Sequence, residues 1–115
     1  MATIAELTEL CLKFRDERDW KQFHNGKDMM LSLALEAGEL LELTQWKNGA
    51  ELESHLKARK GDLSDELADV LYWVLEIAHE YQIDLGEAVR TKLAKNADKY
   101  PVEKARSVAR KYDQL

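Results

Sequence analysis

Two segments of this 115-residue chain place carboxylates inside apolar stripes of helical period, and few folds can accommodate that. From Lys27 to Trp46, the residues Met29, Leu33, Ala37, Leu40 and Leu43 recur at steps of three and four, the spacing of one face of an α-helix. A residue advances about 100° around such a helix. With Glu36 as origin, Met29, Leu33, Leu40 and Leu43 fall within about 60°, and Glu39 lies about 60° to the other side, one turn on. From Leu63 to Tyr81 the arrangement repeats. Leu63, Val70, Trp73 and Ile77 fall within about 60° of Glu66, with Asp69 about 60° away. The stretch between, Leu40 to Asp65, allows the two helices to run antiparallel, so that four carboxylates converge across one interface.

The rest of the chain also reads as helix. Thr3 followed by Glu6 forms a capping box that opens a helix from Ile4 to Asp16, with Ile4, Leu7, Leu10, Cys11 and Phe14 as its apolar set. Glu17 to Asp28, polar and aromatic with Asn25-Gly26 inside it, reads as a loop. Lys47 to Asp62 is charged and reads as a connection with one short helical turn around Leu52 to Leu56. Asp84 with Glu87 starts a helix from Leu85 to Lys99. Tyr100-Pro101 stops it, because a residue before proline avoids the helical region, and a short fifth helix is expected from Val102 to Lys111. No segment alternates with period two. The expected fold is all-α, an antiparallel four-helix-type bundle in a single domain spanning residues 1–115.

Charge and cysteine content narrow the class. The net charge of −5 argues against a nucleic-acid polymer as partner. The single cysteine, Cys11, cannot form an internal disulfide and suits a cytoplasmic location. The N-terminus lacks a basic-then-apolar signal pattern, and no apolar run approaches the length of a membrane span.

The acids then demand an explanation. One E-x-x-E on a helix is ordinarily a solvated face, and Glu42, off the stripe, is such a residue. Two matched pairs inside apolar stripes are different, since a buried, unpaired carboxylate is costly or takes up a proton. A divalent cation with hard oxygen ligands resolves the conflict, and Mg²⁺ is the natural candidate. Two rival readings exist. A di-iron carboxylate bundle needs two Glu-x-x-His motifs. The chain has one, Glu76 to His79, whose histidine lies about 140° from Glu66. A non-enzymatic oligomerisation or adaptor bundle explains the amphipathic helices but not the acids.

With these residues in view, the sequence resembles the all-alpha nucleoside triphosphate pyrophosphohydrolases of the MazG-like superfamily, and most of all their dCTP pyrophosphatase branch. The likeness runs through ERDWKQFH (Glu17 to His24), LALEAGELLELTQW (Leu33 to Trp46), DELADVLYW (Asp65 to Trp73) and KNADKYPVEKARSVARKY (Lys95 to Tyr112). It implies hydrolysis of a deoxynucleoside triphosphate to the monophosphate and pyrophosphate, in the service of nucleotide house-cleaning. It further implies that Glu36, Glu39, Glu66 and Asp69 hold Mg²⁺, with Glu39 our choice for the general base. Trp20, His24 and Trp46 match positions around the base or sugar. The stacking aromatic falls on Trp73, where the relatives carry tyrosine, with Tyr72 next door as the alternative. Lys92 and Asn96, four apart, match positions that face the phosphates. At position 11 a relative's substrate-contacting histidine is replaced by Cys11, which reads as a small core residue. A homodimer, or a homotetramer built from dimers, is implied as well.

Overall fold

The computed structural model describes residues 1–115, all of them helix, turn or irregular structure. Six α-helices follow in order: α1 (Ile4–Glu17), α2 (Gly26–Glu42), α3 (Gly49–Ala58), α4 (Lys60–Glu80), α5 (Leu85–Lys99) and α6 (Val102–Ala105). They divide into two compact units, Met1–Gln82 and Ile83–Leu115. No helix is long and apolar enough to cross a membrane.

In the first unit α4 is the central element, packed most extensively by α2, then by α1, with a smaller contact from α3. The α2–α4 pair is antiparallel. The start of α2 at Gly26 lies against the Tyr81 ring at the end of α4, while the acids in the middle of each helix face one another. The stripes expected on both helices are the inward faces, with Met29 buried and Leu33, Leu40, Val70, Trp73 and Ile77 half-buried. Ala37, also placed in the stripe from its spacing, is exposed.

Helix starts follow the capping residues. The amide of Glu6 donates to Thr3 Oγ1 at 3.1 Å, and that of Glu87 to Asp84 Oδ1 at 3.1 Å, as the two capping boxes require. Asn25, expected within a loop, is itself a cap. Its Oδ1 accepts from the Asp28 amide at 2.9 Å and its Nδ2 donates to Asp28 Oδ2 at 2.8 Å, so α2 begins at Gly26.

Three expectations are corrected. The second helix does not reach Trp46. It ends at Glu42, where the Thr44 hydroxyl donates to the Leu41 carbonyl at 2.7 Å and Trp46 adopts φ +67°, a left-handed conformation that ends a helix. The connection after it is largely α3, a ten-residue helix whose inward face is only Leu52, His55 and Leu56, too little apolar surface to register as a stripe. The fifth helix is shorter than expected, closing at Ala105, with the next turns broken by φ +62° at Ser107.

The second unit holds α5, α6 and a terminal 3₁₀ turn, Tyr112–Gln114. Tyr100 and Tyr112 meet edge to face at 6.3 Å, with Lys99 Nζ 4.9 Å above the Tyr112 ring.

Candidate active site

The four acids of the sequence motif meet. Glu36 and Glu39 come from α2, Glu66 and Asp69 from α4, and one carboxylate oxygen from each lies within 4.8 Å of all the others. Glu36 and Glu66 form the inner half of the cluster, each with an Oε2 that is buried and has no hydrogen-bond partner. Glu39 and Asp69 form the exposed rim. Buried polar atoms are nearly always partnered, so two orphaned carboxylate oxygens at one point define a place for a positively charged partner. Four hard oxygen donors suit Mg²⁺.

The electrostatics agree. Burial first, then the hydrogen bond and charge of Glu39 and the charges of Asp69 and Glu66, push the Glu36 carboxyl up to about 7. Burial, with the charges of Glu39 and Asp69, also raises Glu66. Without a cation the cluster retains a proton at pH values where an ordinary glutamate has lost it.

Asp69 belongs to the acid cluster and also to the wall of a cavity of about 540 Å³ between α1 and α4. That volume lies in the range of small-molecule pockets. Trp20, Tyr72 and Trp73 line it, together with Phe14, Cys11 and leucines of both helices. Cys11, expected as a core residue, is half-buried and forms part of this wall. A second cavity, of about 220 Å³, is lined by His24, Trp20, Trp73 and residues of the α2 start. Trp20 and Trp73 therefore face both spaces. Trp73 meets two rings edge to face, His24 at 5.1 Å between ring centroids and Tyr72 at 5.0 Å.

The remaining expected residues lie apart from these cavities or in the second unit. Trp46 follows the end of α2, is 88% exposed and lines neither cavity. Lys92 and Asn96 sit one turn apart on α5, Lys92 exposed and Asn96 half-buried.

Two charged residues escaped the sequence reading. Arg15 and Glu76 are buried together where α1 meets α4, with Arg15 Nη1 3.4 Å from Glu76 Oε2. In the sequence Glu76 stands out only as half of a Glu-x-x-His pattern, yet His79 is exposed. The available signal was an acid inside the apolar run V-L-E-I-A (Val74 to Ala78).

The chain that brings this acid cluster beside an aromatic-walled cavity belongs to the MazG-like family, whose model matches residues 31–115. It is 38% identical to the dCTP pyrophosphatase 1 proteins of Rattus norvegicus and Homo sapiens, across 98% of this chain and 68% of theirs. Its fold is similar to a crystal structure of a pyrophosphatase from Archaeoglobus fulgidus, with a TM-score of 0.82 at 37% identity, across 88% of this chain and 94% of that one.

Proposed function

We propose that this protein is a Mg²⁺-dependent nucleoside triphosphate pyrophosphohydrolase that clears deoxynucleotides of the dCTP type from the cytoplasmic pool. The observation that carries this is the convergence of four carboxylates, two with buried and unpartnered oxygens and one, Asp69, also in the wall of an aromatic cavity. Similarity to dCTP pyrophosphatases over nearly the whole chain supports it, and because that similarity spans both compact units, we treat residues 1–115 as one functional domain.

Glu36, Glu39, Glu66 and Asp69 hold the metal ion. Bound among them, Mg²⁺ supplies positive charge that offsets the triphosphate and the charge developing at the reacting phosphorus. Glu39, on the exposed rim, takes a proton from the attacking water. The water oxygen bonds to phosphorus as the α–β bridge breaks, giving monophosphate and pyrophosphate. Trp20, His24, Tyr72 and Trp73 enclose the base, and stacking tolerates several bases because every base has a π-face. Trp46 is assigned to the base or sugar, and Lys92 and Asn96 to the phosphates.

The active form is a homodimer or a homotetramer of dimers. Although 45% of residues are hydrophobic, only Met29, Leu75 and Ala78 are fully buried apolar side chains. The outer surface of α2, turned away from Glu36, carries Met30, Leu31, Leu35 and Leu41, each more than half exposed. A second copy of the chain covers that face by symmetry.

The test is pyrophosphate release from a panel of canonical and modified triphosphates with Mg²⁺. Glu39→Gln should lower kcat by about 10²–10⁴-fold, the usual contribution of a general base, with the fold intact by circular dichroism. Near-normal turnover in that variant overturns the role given to Glu39. For an adaptor bundle, calorimetry would detect no Mg²⁺-dependent binding of a non-hydrolysable dCTP analogue.

A further inference from the structure

Glu76 is the most deeply buried charged side chain, with none of its side-chain surface exposed. Its Oε2 faces two nitrogens, Arg15 Nη1 at 3.4 Å and His24 Nδ1 at 3.7 Å. Its Oε1 is buried without a partner, as is the Tyr72 hydroxyl one turn earlier on the same helix, and so is His24 Nδ1 by strict hydrogen-bond geometry. Around one carboxylate, then, stand an ion-pair partner, a phenol donor and an imidazole nitrogen, with acceptor capacity left over. A slight torsional change or one bridging water completes each bond. Burial and the negative charge of Glu76 raise the Tyr72 hydroxyl above its ordinary range, so it remains a donor. The rings of His24 and Tyr72 are the two that meet Trp73 edge to face.

We propose that Glu76, neutralised by Arg15, is a positioning residue for the nucleotide pocket: its carboxylate fixes the His24 imidazole and the Tyr72 phenol, and those two rings set the plane of Trp73. This rests on the pocket assigned under the proposed function. A pair serving packing alone has no need of charge, since well-packed apolar side chains stabilise such an interface equally well or better. A carboxylate can do what they cannot, namely hold the proton of His24 on Nδ1 and leave Nε2 as the free acceptor. Trp73 lines both cavities, so a rotation of its indole alters the fit of a base.

The experiment replaces the pair by apolar side chains, Arg15→Met with Glu76→Leu, and assays dCTP hydrolysis with Mg²⁺. The double variant should keep or raise its melting temperature while KM increases about tenfold and kcat stays within about threefold, the signature of lost substrate positioning. Glu76→Gln, which keeps an acceptor oxygen for His24, should hold KM within about threefold of the parent. In ¹⁵N NMR of the parent protein, His24 should show the Nδ1–H tautomer, and that signature should be lost in the double variant. A double variant whose KM stays within about twofold of the parent, or His24 spectra that are the same in both, overturns the proposal. Should the double variant fail to fold, the His24 spectrum of the parent decides: the Nδ1–H tautomer supports the role, and the Nε2–H tautomer refutes it. The His24 spectrum requires neither substrate nor metal. A parent protein that hydrolyses no triphosphate therefore defeats the proposed function alone.

Discussion

Raising the pH of the metal-free protein from 5 to 7.5 removes the proton shared by the four-acid cluster, and stability should fall as it goes. The Glu36 carboxyl is raised from 4.5 to about 7 in the folded chain, so the folded state holds this proton more tightly than the unfolded state does. The stability it contributes is complete below about pH 4.5 and is lost as pH climbs through about 7. Taken at face value the shift amounts to about 3.4 kcal/mol. Glu39 and Asp69 are exposed and Glu36 is only half-buried, so solvent screening reduces this to about 1 kcal/mol. For a chain of this size that is about 4–8 °C in Tm. Scanning calorimetry in EDTA at low salt should show that decline between pH 5 and 7.5. Added Mg²⁺ should restore stability, and by more at pH 7.5 than at pH 5, because metal and proton compete for the same oxygens. Glu36→Gln has no proton to lose and should flatten both trends. If the parent and Glu36→Gln curves run parallel with pH, with and without Mg²⁺, the cluster does not behave as a coupled cation site.

Trp73→Ala should raise KM for dCTP by about ten- to a hundredfold, since removing a stacking ring costs about 1–3 kcal/mol; an unchanged KM would take Trp73 out of the base pocket. The parent protein should run in light scattering at a multiple of its 13.3 kDa chain mass. Leu35→Glu, which sets two like charges into a symmetric contact, should shift it to the monomer, and a parent already monomeric at micromolar concentration would refute the α2 interface.

The helices and the acid site were largely legible because they share one code. A stripe of period 3.6 is written in Met29, Leu33, Leu40, Val70 and Ile77, and carboxylates at Glu36, Glu39, Glu66 and Asp69 interrupt it at matching heights. The limits of α2 were less legible at both ends. Asn25-Gly26 suits a turn as well as a cap, and only the Asp28 amide, 2.9 Å away, decides between them. The end at Glu42 depends on a Thr44 hydroxyl competing for a backbone carbonyl, a contest no periodicity reveals. The helix α3 was missed because two leucines and a histidine make a weak stripe. The Arg15–Glu76 pair was missed for another reason. Its partners are 61 residues apart, on helices whose relative rotation no local pattern specifies, and buried ion pairs are too rare to assume.

The helix α2 has little circumference to spare. One side carries Glu36 and Glu39 toward α4. The outer surface, turned away from Glu36 and bordering Glu39, presents Met30, Leu31, Leu35 and Leu41, with only the small Ala34 and Gly38 between them. Rotation by a single residue, about 100°, would misplace both sets at once. Drift at the outer leucines is therefore felt by Glu36 and Glu39 on the same helix. In a scan of all single substitutions, this segment should tolerate the fewest replacements per position of any helix in the chain, including polar changes that would be silent on an ordinary surface helix.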